Sequence, residues 1–303
     1  MIYYVMLLGA SLLFGSQFMV TKAFEKNCGK TLRTSICFSL LYSFFAGVIF
    51  LILKLVTGGL SFNPNPFSLL MASGLALVNI LSSAAGLKTL ALGDIAVYSL
   101  FLMLGGMMVP FVAGVCFLNE KVSVCNVIGL VIMIFALAMP VFFNGKNNGG
   151  ERKKSSFTFY LLCVILFLLN GLSSAFSKFN SVRENAALGA EFTAYTFGIQ
   201  FFLAGITLII LQLFFPAKDK TPVLRNPKAI SCGAAFGAIN GTAFLLSSVA
   251  AENIPAVAQY PLITGATIVF SSILAAVIYK EKPTKLQLAQ IAISFAATVL
   301  FLF

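Results

Sequence analysis

Histidine and tryptophan are absent from this 303-residue chain, and only nine residues are acidic. Without histidine there is no Ser–His or Cys–His pair to generate a nucleophile, and the commonest zinc ligand is missing. The six cysteines (Cys28, Cys37, Cys116, Cys125, Cys163 and Cys232) show no CxxC spacing and lie mostly in apolar runs. They read as small buried hydrophobes, not as a metal or redox centre. Neither HExxH nor GxSxG occurs. An enzyme is therefore disfavoured, and neither a cofactor nor a metal is implied.

Charge is scarce too. Asp, Glu, Lys and Arg make up 10% of the residues against 59% hydrophobic ones, whereas a soluble protein carries roughly 25% charged residues. That composition predicts an all-α polytopic membrane protein, with the lipid bilayer as its surroundings. The net charge of +11 does not point to nucleic acid, because the basic residues flank apolar runs instead of forming a stripe. The first run has no basic leader and no small-residue cleavage site, so it reads as a retained transmembrane helix.

Runs long enough to cross ~30 Å of hydrocarbon fall at 2–22, 35–57, 67–88, 93–118, 122–143, 157–178, 192–215, 229–250, 255–279 and 284–303. Turn-forming sequences separate them, among them "GGLSFNPNP" (58–66), "NGKNNGGERKKSS" (144–156) and "ENIP" (252–255). The chain also echoes itself. Gly15, Thr21 and Lys22 of "FGSQFMVTK" correspond to Gly171, Ser177 and Lys178 of "NGLSSAFSK", Asn79 to Asn240, and "LNEKVS" (118–123) to "YKEKPT" (279–284). The collinear order predicts two repeats, residues 1–145 and 157–303, joined by a basic connection at 146–156. Five spans per repeat is an odd number, so the second repeat enters the membrane in the opposite sense. Such inverted repeats serve alternating access in many secondary transporters.

Basic residues concentrate on one face of this topology; only Lys54, Lys121, Lys178 and Arg183 lie on the other. The positive-inside rule then places both termini outside the cell membrane.

These features resemble the drug/metabolite transporter superfamily, in particular its ten-helix EamA-type members. The resemblance is carried by "FGSQFMVTK" and its echo, by Pro110 followed by Leu118-Asn119-Glu120-Lys121, and by Tyr279-Lys280-Glu281-Lys282. The chain departs from the family pattern at Phe14-Gly15, where Trp-Gly is common, and at Ser271, where a counterpart of Pro110 would stand. Many relatives keep both termini in the cytoplasm, the reverse of the charge count. The resemblance implies a transporter of a small-molecule solute, monomeric or homodimeric, with a cavity lined by helices one, three, four, six, eight and nine.

Polar side chains within hydrocarbon tend to face a bundle interior or a wet cavity. They include Asn170, Tyr195, Gln200, Thr242 and Thr264, and the helix choice implied by the resemblance selects Gln17, Asn79, Tyr98, Ser174, Asn240, Gln259 and Tyr260 as substrate-binding candidates. Lys22 and Lys178, at helix ends, are expected to snorkel to the headgroups. Glu120 and Glu281 read as structural, and Gly106, Pro110 and Gly114 as a packing stripe with a hinge at the proline. All carboxylates lie at or near helix ends. That favours a facilitator, or a carrier coupled through an end group such as Asp94, moving a neutral, zwitterionic or modestly anionic solute such as an amino acid. A non-transporting scaffold or partner subunit is the alternative; the short loops offer it no exposed domain.

Overall fold

The computed structural model describes residues 1–29, 31–58, 62, 64–92, 95–143, 157–187, 189–215, 223–279 and 284–302. Asp94, Lys280-Glu281-Lys282 and the connection 144–156 lie outside the described residues, as does the side chain of Ala275. The helices are α1 (Ile2–Cys28), α2 (Leu32–Gly58), α3 (Pro66–Leu92), α4 (Ile95–Phe117), α5 (Val124–Phe143), α6 (Phe157–Ser181), α7 (Gly189–Phe214), α8 (Pro227–Ala251), α9 (Ala256–Tyr279) and α10 (Lys285–Leu300). A 3-10 turn, Val223–Arg225, precedes α8.

Local chemistry sets several helix ends. Asn65 and Asn226 each accept a backbone N–H two residues on, from Phe67 at 2.9 Å and Lys228 at 3.0 Å, with proline in the first helical position. Thr284 and Gln287 form a reciprocal capping box at α10. After α4 the chain reverses through Asn119, whose φ of 52° lies in the left-handed region that asparagine tolerates. That reversal aims Glu120 back at the bundle.

Nine of the described helices are long and apolar enough to cross a membrane. The tenth departs from expectation: α10 has 16 residues, about 24 Å at 1.5 Å per residue. The capping box fixes its beginning at Thr284, and at its end the Phe301 N–H turns back onto the Thr298 carbonyl. Bulky apolar residues such as Ile52, Val56, Val131, Phe202, Ile209 and Leu213 are exposed on the outer surface, as lipid contact requires. All six cysteines are free, and Cys116 is exposed instead of buried.

The helix contacts form a pattern that maps onto itself when α1–α5 and α6–α10 are exchanged. α1 packs on α8 and α9, and α6 on α3 and α4; α2 packs on α8, and α7 on α3. α2–α7, α4–α9 and α5–α10 are partners of one another. Close approach relies on glycine. A Cβ at Gly105 would fall on the backbone carbonyl of Phe167, and one at Gly171 on the Val109 side chain, so these two glycines form the α4–α6 crossing. In the expected packing stripe, Gly106 and Gly114 instead face the side chains of Asn170 and Glu120.

Candidate functional site

A cavity of about 490 Å³ opens where the two halves of the helix set meet. Gln17 reaches it from α1, Asn79 from α3, Tyr98 from α4, Ser174 from α6, Asn240 from α8 and Tyr260 from α9. Asn170 and Thr264 line it as well. Six of the seven selected residues therefore meet at one place.

Gln259 does not. It is fully buried, and its Nε2 donates to the Ser247 carbonyl at 2.9 Å and to Ser247 Oγ at 3.3 Å. It ties α9 to α8 beside the cavity instead of facing into it. Tyr195, from the wider set, donates at 2.8 Å to Glu191, which pairs with Lys54 at 3.0 Å, where α2 ends and α7 begins.

Two helices outside the expected six also contribute: α2 through Tyr42, and α7 through Phe197. A polar chain explains why they matter. Gln200, fully buried on α7, donates to Ser39 at 3.0 Å and to the Tyr42 hydroxyl at 2.5 Å, and accepts from Asn79 Nδ2 at 3.3 Å. Ser173 donates to Asn79 Oδ1 at 3.2 Å. The chain runs from α2 through α7 and α3 to α6 and fixes the orientation of the Asn79 amide. Ser39 and Tyr42 stand three residues apart in the apolar "FSLLY", one helical face carrying two hydroxyls, and that spacing was the available signal.

Replacing Gln200 by Leu strips Tyr42 and Asn79 of a buried partner, at about 1–3 kcal/mol. We expect Gln200→Leu to melt several degrees below the native protein. An unchanged melting curve would contradict the chain's structural role.

One end of the cavity is closed by charge. Lys178 is 4% exposed, not snorkelled. Its ammonium donates to the Ala251 and Ile254 carbonyls at 2.8 and 2.7 Å and lies 3.6 Å from Glu120 Oε1. The Glu120 carboxylate accepts from the backbone N–H groups of Ala256 and Val257 at 2.8 and 3.0 Å. The cation thus sits at the C-terminus of α8 and the anion at the N-terminus of α9, each matched to its helix dipole. Inward of this clamp, the Tyr260 hydroxyl donates to the Ser174 carbonyl at 2.7 Å. Residues 256–262 are all buried, whereas from Phe270 to Ile278 the described side chains of α9 are half-buried or exposed. Helix α9 is thus tightly packed at the clamp and more loosely packed toward its other end. Lys178 escapes the expected snorkelling because three internal acceptors compensate its burial.

The geometry is that of a polytopic α-helical membrane protein with a polar chamber between its halves. Residues 157–303 match the EamA-like transporter family, which belongs to the drug/metabolite transporter superfamily, so the resemblance seen in the sequence holds. The second half of the chain is thus similar to multi-pass membrane transporters of the drug/metabolite type. A crystal structure 15% identical to it superposes with a TM-score of 0.74 over 98% of this chain and 95% of that one, a likeness of fold alone. No curated protein matches the chain.

Proposed function

We propose that the protein is a secondary transporter of a small polar metabolite, of the size of an amino acid or related solute, working by alternating access as an exporter or facilitator in the cell membrane. The observation that carries the reading is the polar cavity between α1–α5 and α6–α10, whose packing maps onto itself under their exchange. We take residues 1–145 and 157–303 as inverted repeats, 146–156 as the basic connection between them, and Gln17, Asn79, Tyr98, Ser174, Asn240 and Tyr260 as the solute-binding set. Gln259 acts in support.

With both termini outside, as the Lys/Arg distribution favours, the clamped end faces outward and the loosely packed end of α9 faces the cytoplasm. Opening the clamp while the opposite end tightens would carry the cavity's contents across. The cavity is built by a single chain, so a monomer suffices and a homodimer would hold two such sites.

Flux of a broad panel of solutes in proteoliposomes tests the reading. We expect saturable transport of at least one solute, reduced several-fold in Gln17→Ala. No movement of any solute would contradict it.

A further inference from the structure

The lining narrows the solute class. We propose that the cavity takes a net-neutral, flat heteroaromatic solute with a lactam or amidine edge, the chemistry of nucleobases and nucleosides, and disfavours solutes bearing a free carboxylate, phosphate or ammonium. The inference rests on the transport reading above.

Charge decides the exclusion. No Asp, Glu, Lys or Arg lines the cavity among the described residues. A carboxylate or phosphate brought out of water needs a paired cation. Lys178, the buried cation closest in sequence to the lining, is taken up by two carbonyls and Glu120. Some transporters hold a carboxylate on the N-terminus of a broken helix. Here α4 and α9 run unbroken past the cavity, each with an internal proline, Pro110 or Pro261. A proline removes an N–H and frees a carbonyl, so both subtract donors and add acceptors. That is the wrong polarity for an anion.

Rings and amides decide the preference. Aromatic side chains face the cavity from six helices, among them Phe14, Tyr42, Tyr98, Phe197, Phe244 and Tyr260. They offer faces on which a flat ring can stack or pack edge-on. Between them stand amides with capacity to spare. The side chains of Gln17 and Asn240 form no hydrogen bond among the described residues, so each holds a donor and an acceptor side by side. Asn79, with Gln200 and Ser173 bonded, retains one N–H and one lone pair. A side-chain amide of this kind pairs with the donor–acceptor edge of a base, as Asn and Gln do with adenine. A cavity of about 490 Å³ lies within the ~300–1,000 Å³ typical of ligand sites.

The test uses the purified full chain and five probes: adenosine, uridine, uridine 5′-monophosphate, L-phenylalanine and mannitol. Binding only to the folded state raises the melting temperature. We expect a rise with adenosine or uridine, with flux of the same compound in proteoliposomes, and none with the other three. Asn240→Leu should weaken nucleoside binding about tenfold, the scale of a lost amide pairing, whereas Asn240→Gln should stay within about threefold. If uridine 5′-monophosphate, L-phenylalanine or mannitol stabilises as well as the nucleosides, or if Asn240→Leu binds normally, the proposal is overturned. Movement of L-phenylalanine without the nucleosides would overturn the class and leave the transport reading standing. Silence from all five also overturns the class, and the broad panel then decides the transport reading by itself.

Discussion

Lys178→Met should melt on the order of 10 °C below the native protein. Removing one partner of a buried ion pair costs about 3–5 kcal/mol, and a large domain loses roughly 2–4 °C per kcal/mol. Both side chains are well inside, at 5% and 12% exposure. The ammonium serves three acceptors, so its loss orphans the Ala251 and Ile254 carbonyls and leaves Glu120 ionised with only the α9 amides for company. Adding Glu120→Gln should recover part of the loss, because a neutral amide no longer leaves a buried charge uncompensated. A double-mutant cycle measures that coupling. If Lys178→Met melts with the native protein, or the two changes simply add, the clamp does not hold this end of the bundle together.

The second large effect is at the α4–α6 crossing. A side chain at Gly105 would meet the backbone of Phe167, and backbone cannot rotate away as a flexible side chain does. Even Gly105→Ala forces the helices apart, at about 1–3 kcal/mol or more, and Gly105→Leu should prevent the folded protein from accumulating. Since α4 and α6 carry Tyr98, Asn170 and Ser174 to the cavity, Gly105→Ala should also slow transport. Gly198 is the control. Nothing lies within 4 Å of a Cβ built there, so Gly198→Ala should be neutral or slightly stabilising, because alanine favours helix. Equal effects at the two positions would mean that close packing is not what Gly105 provides. Expression, melting temperature and flux of the four proteins decide it.

Much of this architecture was legible from hydropathy and turn residues alone. Hydrophobic length and the breaks at "NPNP", "ENIP" and Thr284 place every helix end within about four residues except that of α1, which runs on to Cys28, six residues past the expected end. They can do so because crossing the bilayer constrains each segment independently of its neighbours. The capping box that shortens α10 shows the limit of counting apolar residues. What depends on which helix faces which was not legible. Snorkelling was the expectation for Lys178 because nothing local reveals two carbonyls from the α8–α9 turn, 73 and 76 residues further along. Gly106 was chosen over Gly105 because small-residue spacing fixes a stripe but not the neighbour it meets.

The cavity shows the same division. Six residues selected by polarity and helix choice do converge, since a polar side chain in an apolar span has few places to go. Gln259 satisfies that rule through Ser247 instead, and polarity cannot distinguish a cavity wall from a helix tie. Gln200 was set aside with its helix, yet it links Asn79 to Tyr42 from the far side.

Alternating access between the two halves is best tested by counterflow. Proteoliposomes are preloaded with an unlabelled solute that the protein moves, then diluted into the same solute in labelled form. A carrier that exposes one cavity to each side in turn will accumulate label transiently above its equilibrium level, and Asn79→Ala should flatten that peak. Uptake that rises to equilibrium without a peak and without saturating, or a peak that Asn79→Ala leaves unchanged, would contradict the account.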